Sequence, residues 1–207
     1  AGRIAGALII VQMIGGYLSN FVLLEPATAP PGFLVNAAPH ALRVAASALL
    51  GIVTGGLSAA VAITVLPILR KHSEAMALWF LALAIAALSL AVVESGTVMS
   101  LLTLSQAYAA SNNADPAAFA GLRGVVASSR NWAHFTHIVV GGTTFLVFYI
   151  TLYRFALIPR ALAAFGMLAV ALQITTVSMP SISRRSLSAR SAATASPARS
   201  LIGLPLE

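Results

Sequence analysis

The chain has 207 residues, of which 59% are hydrophobic and only 8% are charged. A soluble domain carries about 25% charged residues, so this composition excludes an ordinary water-soluble globule and a mostly disordered chain. The absence of cysteine excludes disulfides, thiolate catalysis and cysteine-based metal sites. The net charge of +7 could suggest a nucleic-acid partner, but the basic residues lie in a C-terminal tail or flank apolar stretches, so we predict none.

Five apolar stretches follow one another along the chain, and each is long enough to cross the hydrocarbon core of a bilayer as a helix. The sequence therefore predicts an all-α, polytopic transmembrane bundle whose main partner is the lipid bilayer. The predicted spans are 4–24, 45–69, 75–104, 133–153 and 161–179. They form one transmembrane domain, 1–180, and the Ser/Arg/Ala-rich tail, 181–207, has the composition of a disordered segment.

The basic residues between the spans predict the orientation of the chain. Arg3 precedes the first span, the first loop (25–41) holds no Lys or Arg, and Arg70 and Lys71 follow the second span. Two further arginines lie in the fourth loop. The positive-inside rule then places the N-terminus and the second and fourth loops in the cytoplasm. We interpret Arg70 and Lys71 as an anchor at the membrane surface. The bias towards Arg and Ala suggests a GC-rich bacterial genome, so we expect the protein in a bacterial inner membrane.

The third loop is long and contains a helix signal. Asp115 is a good N-cap, and Pro116 suits the first helical position. Phe119, Leu122 and Val126 then share one face. The helix either lies on the outer interface or extends the fourth span outward, and the sequence does not separate these alternatives.

Small residues recur within the predicted spans. Gly51 and Gly55 form a G-x-x-x-G pattern, and glycine pairs occur in the first and fourth spans. Small residues let helix backbones approach closely in lipid. We predict that they pack the bundle internally; a homo-oligomer through the same helix faces is the alternative.

Glu94 is the most unusual residue of the predicted spans, because an ionisable group at the bilayer centre costs about 2.5–3.5 kcal/mol on insertion scales. It lies about 29 Å along a helix that starts near residue 75, which is close to the outer boundary of the membrane. Arg43 enters the second span at that level, and His134 and His137 enter the fourth. His40 lies just above. We predict that these five residues form one polar layer in the outer leaflet.

Three interpretations of this layer stay open. His134 and His137 are spaced i, i+3 and share a helix face, so together with the Glu94 carboxylate they could bind a divalent metal. They could instead bind protons or a small ligand, because histidine titrates near neutral pH. The third interpretation is a structural Glu94–Arg43 ion pair with the histidines at the wet interface. The absence of a nucleotide loop, a nucleophile elbow and H-E-x-x-H weakens the case for an enzyme.

Four segments carry a family resemblance: GRIAGALIIV, LPILRKHSEAMALWFLAL, VVESGTVMSLLTLSQAY, and the stretch that opens with SSRNWAHF and continues through YRFALIPR. Over about residues 1–180 the chain resembles the bacterial integral-membrane proteins that bear domain of unknown function 4386. The resemblance implies six spans and no known reaction. After Pro180 a Ser/Arg-rich tail stands where the last span is expected. An unusual exported extension, an incomplete last span and a shifted reading frame are the alternatives.

The predicted function is therefore that of a multi-pass membrane protein that binds a small ligand or protons at its outer-leaflet polar layer. One alternative is a membrane-embedded, metal-dependent enzyme that uses His134, His137 and Glu94. The other is a purely structural membrane bundle. No cofactor is indicated beyond the divalent metal of the first alternative.

Overall fold

A computed structural model describes residues 2–111 and 115–176 of the chain. Within these ranges all regular structure is helical. The helices are α1 (Gly2–Tyr17, continued by a π-helical turn, Leu18–Leu23), α2 (Glu25–Thr28), α3 (Phe33–Asn36), α4 (Ala41–Arg70), α5 (Glu74–Ala110), α6 (Pro116–Arg154) and α7 (Arg160–Thr176).

Four of the described helices are long and apolar enough to cross a membrane: α1 with its π-helical turn, α4, α5 and α6. The apolar helix α7 is shorter and corresponds to the predicted fifth span. The prediction of an all-α transmembrane bundle is therefore confirmed. The end of that span and the tail, 181–207, lie outside the described residues.

The helices α5 and α6 extend beyond the predicted third and fourth spans. α5 has 37 residues and α6 has 39, so each is more than about 50 Å long, whereas a bilayer with its headgroups is about 40–45 Å thick. α6 begins at Pro116, where the Asp115 carboxylate accepts a hydrogen bond from the Ala118 backbone N–H at 3.0 Å. The helix predicted in the third loop is thus the first part of α6, which continues into the fourth span.

The bundle has two ends that contain different connections. We call the end with the α4–α5 turn basal and the end with α2 and α3 apical. The α6–α7 connection is also basal, because the rings of His72 and Phe155 lie 5.4 Å apart. At the apical end Ser105 of α5 fastens the first loop: its hydroxyl donates to the Leu34 carbonyl at 2.8 Å and accepts from the Ala38 N–H at 2.9 Å.

Two separate groups of buried apolar side chains hold the helices together. The basal cluster consists of Ala5, Val61, Ala62, Val65, Leu69, Ala77, Phe80 and Ala84. The apical cluster consists of Leu24, Ala27, Ala37, Val44, Ala48, Val98 and Leu102. Both clusters use side chains of α4 and α5, joined by Ala5 of α1 at the basal end and by Leu24 and Ala27, which follow the first span, at the apical end.

Small residues pack the helices internally, as predicted. A β-carbon on Gly51 would lie 3.2 Å from the Ser95 hydroxyl, and one on Gly55 would lie 2.9 Å from the Ala91 β-carbon. The α4–α5 crossing therefore depends on the G-x-x-x-G pattern. A homo-oligomer through other small-residue faces stays a prediction.

Candidate functional site in the bundle

Glu94 of α5 is held by two histidines of α6. Its Oε1 lies 2.6 Å from His134 Nδ1, and its Oε2 lies 2.7 Å from His137 Nδ1. With Glu94 ionised, its carboxylate can only accept hydrogen bonds, so each ring then donates its Nδ1–H to Glu94. One carboxylate thus fixes the tautomer and the orientation of both imidazoles.

The local sequence explains this arrangement. Residues three apart on a helix share a face, so His134 and His137 project together towards α5, against which α6 packs. The Glu94 side chain is only 16% exposed, whereas the His134 and His137 side chains are 36% and 30% exposed. The carboxylate is therefore the buried centre of the cluster, and the two rings form its more accessible rim.

Each ring keeps its second nitrogen available. Within the described residues, neither His134 Nε2 nor His137 Nε2 has a hydrogen-bond partner. A neutral imidazole that donates through Nδ1 carries a lone pair on Nε2. With Glu94 ionised and both rings neutral, the cluster has one negative charge and two nitrogen acceptors.

The cluster lines a cavity of about 510 Å³. Its walls come from the first span, α4, α5, α6 and α7. Besides Glu94, His134 and His137, the lining residues with polar side chains are Ser19, Asn20, Ser47, Thr54, Ser95 and Gln173. The apolar part of the wall includes Phe21, Leu24, Val98 and Ile138. A pocket of this size with a few convergent polar groups is typical of small-molecule sites.

Several polar side chains of the wall are already satisfied by neighbouring helices. The Ser19 and Ser47 hydroxyls lie 2.8 Å apart, and Ser95 Oγ donates to the Ala48 carbonyl at 2.9 Å. These bonds fasten the first span to α4 and α4 to α5. The role of these serines in the wall is therefore structural, whereas the Glu94 cluster keeps two Nε2 atoms for a ligand.

The π-helical turn shapes one side of the cavity. Ser19, Asn20 and Phe21 all lie within Leu18–Leu23, and all three line the cavity. A π-helical turn inside an α-helix is rare and frequently occurs at functional sites. Here it brings the Asn20 side chain, which donates to the Gly16 carbonyl at 3.0 Å, to the rim of the cavity.

The structure brings together three of the five residues predicted for the polar layer, namely Glu94, His134 and His137. Arg43 is exposed, and in residues 2–111 and 115–176 it forms no ion pair with Glu94. His40 lies at the N-terminus of α4 and does not line the cavity. Glu94 is thus bonded to His134 and His137 and not to Arg43.

At the basal end, Arg70 forms an ion pair with Glu74, one turn later in the chain, and Lys71 is exposed beside it. Arg154 and Arg160 belong to the neighbouring connection, where their guanidinium groups lie 5.8 Å and 6.0 Å from the rings of Phe155 and Tyr153. The four basic residues therefore surround one end of the bundle, far from Glu94.

Sequence reasoning missed the other polar residues of the cavity. Asn20 and Gln173 are amides within apolar stretches, so their polarity was a usable signal, as it was for Glu94. The serines gave no such signal, because a serine within a span usually bonds to its own helix. Ser89, which bonds to the Ile85 carbonyl, has the same appearance in the sequence as Ser95.

A metal centre of three protein ligands is not evident from this arrangement. Among the described residues, no group of three or more His, Cys, Asp or Glu side chains is placed to hold a metal ion. Both oxygens of Glu94 face imidazole N–H groups, so the carboxylate does not point at a common centre with the two Nε2 atoms. The predicted ligand set of His134, His137 and Glu94 stays a prediction.

The comparisons with known proteins bear on the family alone. No curated protein and no solved structure is significantly similar to the chain. One family model, described as Domain of unknown function (DUF4386), matches residues 4–198. The match extends beyond Pro180, so it includes much of the tail, 181–207, which the resemblance over residues 1–180 does not cover. Since it covers most of the 207 residues, the chain belongs to the family of Domain of unknown function (DUF4386).

Proposed function

We propose that the chain is a membrane-embedded binding protein whose Glu94–His134–His137 cluster recognises a small polar group and exchanges protons with it. The observation that supports this proposal is the double hydrogen bond to Glu94, at 2.6 Å and 2.7 Å, in the wall of a cavity of about 510 Å³. An ionisable residue within a span is expensive, and it usually marks a pathway, a relay or a ligand site.

The chemistry of the cluster suits reversible proton binding. Histidine is the side chain that ordinarily changes charge between pH 5 and 8. With Glu94 ionised, protonation of one ring takes the cluster from one negative charge to neutral, and protonation of the second takes it to one positive charge. Each added proton also converts an Nε2 acceptor into a donor, so the group that the cavity can recognise changes with its protonation state.

Nitrogen NMR of ¹⁵N-histidine-labelled protein in lipid nanodiscs tests this proposal. The chain has four histidines, and we expect two of them to show a proton on Nδ1 and a bare Nε2 in the neutral form. In Glu94→Gln both signals should change their tautomer balance. Glu74→Gln is the matched control, because Glu74 is an exposed carboxylate of the same helix. If the two signals are the same in Glu94→Gln as in the parent, the proposal is wrong.

A metal-dependent function is the second candidate, and one observation favours it. Histidines that bind metals usually donate their other ring N–H to a carboxylate, which is the arrangement of both His134 and His137. In this form Glu94 would orient the two Nε2 ligands and would not itself touch the metal. Mass spectrometry for metals would show near-stoichiometric metal in the purified parent chain, with loss in His134→Ala and in His137→Ala. A well-folded parent without metal would exclude this candidate.

We further propose that the basal end faces the cytoplasm and that the membrane is a bacterial inner membrane. Support comes from the basic residues Arg70, Lys71, Arg154 and Arg160, which surround one end of the bundle. Lys and Arg in short loops set this orientation. Exposed Lys71 could also contact anionic lipid headgroups at that surface.

A further inference from the structure

The cavity lies between the two apolar clusters. Along α4 the lining residues 47–54 stand between basal-cluster residues 61–69 and apical-cluster Val44. Along α5 the lining residues 91–98 stand between basal-cluster residues 77–84 and apical-cluster Leu102. The N-terminal part of the chain has the same order, with Ala5 of α1 in the basal cluster and Ala27 of α2 in the apical cluster. Along α4 and α5, packed apolar side chains therefore lie between the cavity and both ends of the bundle, and Leu24, Ala48 and Val98 of the apical cluster also line the cavity.

The exposed residues of the cavity wall lie on the lateral surface of the bundle. Phe21 is 69% exposed, and Asn20 and Gln173 are also exposed. Asn20 and Phe21 belong to the π-helical turn of the first span, and Gln173 belongs to α7. In the part of the chain that the structure describes, the opening is thus flanked by the first and the last helix.

The level of this opening follows from the length of α4. Its 30 residues span about 45 Å, which matches the full thickness of a bilayer with its headgroups. The lining residues of α4 begin at Ser47, about 9 Å from the apical end of that helix, and continue to Thr54, about 20 Å from it. The opening therefore faces the apical half of the hydrocarbon core, where acyl chains are the surrounding solvent.

We infer that the cavity is entered sideways from the lipid and that its ligand is a membrane-dissolved amphiphile with a hydroxyl or amine head. This inference rests on the proposed function of the Glu94 cluster. A ligand that arrives through the acyl-chain region needs an apolar body, for which Phe21, Leu24 and Ile138 provide contacts. The polar head of the ligand must then form hydrogen bonds with the Glu94–His134–His137 cluster.

The hydrogen bonds already formed within the cluster determine which chemical group the head of the ligand must carry. Both imidazole N–H groups are already used on Glu94, so the two Nε2 atoms require donors from the ligand. Hydroxyl and amine groups supply such donors. A carboxylate or phosphate head supplies none and would meet the negative charge of ionised Glu94, so the neutral-histidine state discriminates against anionic amphiphiles.

Photolabelling in nanodiscs at pH 8, where histidine is ordinarily neutral, tests the inference. The probe is a sixteen-carbon primary alcohol with a diazirine near its hydroxyl, and peptide mass spectrometry locates the label. We expect label on cavity-lining peptides of the π-helical turn and of α5. The sixteen-carbon acid with the diazirine at the same position should label these peptides about tenfold less, and Glu94→Gln should reduce the difference between the two probes.

A pair of glycine variants on one helix supplies the matched control. Gly16 lines the cavity, and a β-carbon there meets nothing within 4 Å, so Gly16→Leu adds its side chain at the cavity wall from an unobstructed β-carbon. Gly6 on the same helix also has open space but does not line the cavity. Gly16→Leu should lower the labelling of cavity peptides by about tenfold, as loss of one good contact does, and Gly6→Leu should leave it unchanged.

Two results would overturn the inference. Equal labelling by alcohol and acid, unaffected by Gly16→Leu, would show that the probe samples only the lipid around the bundle. Crosslinks from a photoreactive side chain at Phe21 to residues after 176 would show that the chain itself occupies the opening. If the histidine NMR signals still depend on Glu94, either result leaves the proton site in place, so the failure of the two proposals can be told apart.

Discussion

Gly55 of α4 lies against Ala91 of α5 so closely that a β-carbon on the glycine would be 2.9 Å from the alanine β-carbon and 3.2 Å from Leu88 Cδ1. Ala91 also lines the cavity, and Glu94 follows it by one helical turn. The close crossing of the two helices therefore sets the position of Glu94 relative to α4. In lipid, where water does not drive helices together, such contacts between small residues are a main source of association.

Gly55→Val should destabilise the bundle by about 1–3 kcal/mol, because the new methyl groups have to displace side chains or backbone of α5. Gly56→Val is the control, since a β-carbon on Gly56 meets nothing within 4 Å and the change in helix propensity is the same. Thermal unfolding of both variants in one detergent measures the difference. Equal unfolding midpoints in the two variants would show that α4 and α5 do not cross closely at Gly55.

Removal of the Glu94 charge should cost far more stability than removal of the exposed Glu74 charge. Glu94→Gln keeps the shape but can accept from only one of the two imidazole N–H groups, so we expect a loss of about 1.5–3 kcal/mol. Glu74 pairs with Arg70 where both side chains are more than half exposed, and Glu74→Gln should cost at most about 1 kcal/mol. Reversible unfolding in mixed micelles compares the two. A similar small loss in both variants would contradict the buried position of the carboxylate.

Some features of this molecule can be predicted from the sequence and others cannot, depending on whether a local sequence pattern determines them. Long apolar stretches predict the spans because each helix must satisfy its backbone within itself in lipid. The meeting of Glu94, His134 and His137 also follows, because helix rise sets their depth and the i, i+3 spacing sets a common face. The direction of the Arg43 side chain cannot be predicted from the sequence, because it depends on the rotation of α4 about its own axis. That rotation is fixed by Gly55 and Ser47 contacts, which only the assembled bundle defines.

The contact between Ser19 and Ser47 should show measurable coupling. Their hydroxyls lie 2.8 Å apart, and each also lies within hydrogen-bond distance of the other residue's carbonyl. Polar contacts between membrane helices average about 0.6 kcal/mol in double-mutant cycles, so we expect a coupling near that value for Ser19→Ala with Ser47→Ala. A cycle of Ser47→Ala with Ser89→Ala should give none, because Ser89 bonds only to its own helix. Unfolding free energies of the single and double variants provide both couplings.

The orientation of the bundle can be tested directly because the chain has no cysteine, so that any introduced cysteine is unique. Lys71→Cys marks the basal end and Ala117→Cys marks the start of α6, and both positions are exposed. In intact bacterial cells a membrane-impermeant maleimide should label the cysteine at 117 and leave that at 71 unlabelled until the membrane is opened. The reverse pattern would place the basal end outside.

The packing of α7 against α6 should depend on Gly142 and not on its neighbour Gly141. A β-carbon on Gly142 would lie 2.9 Å from Ile174 Cγ1, whereas one on Gly141 meets nothing within 4 Å. Gly142→Val should therefore push α7 away from α6 and widen the cavity beside Gln173, while Gly141→Val should leave it in place. Spin labels on cysteines introduced at Ile150 and Leu168, both exposed, report the distance between the two helices. We expect a broader and longer distance distribution in Gly142→Val alone; identical distributions in the two variants would show that this glycine does not seat α7.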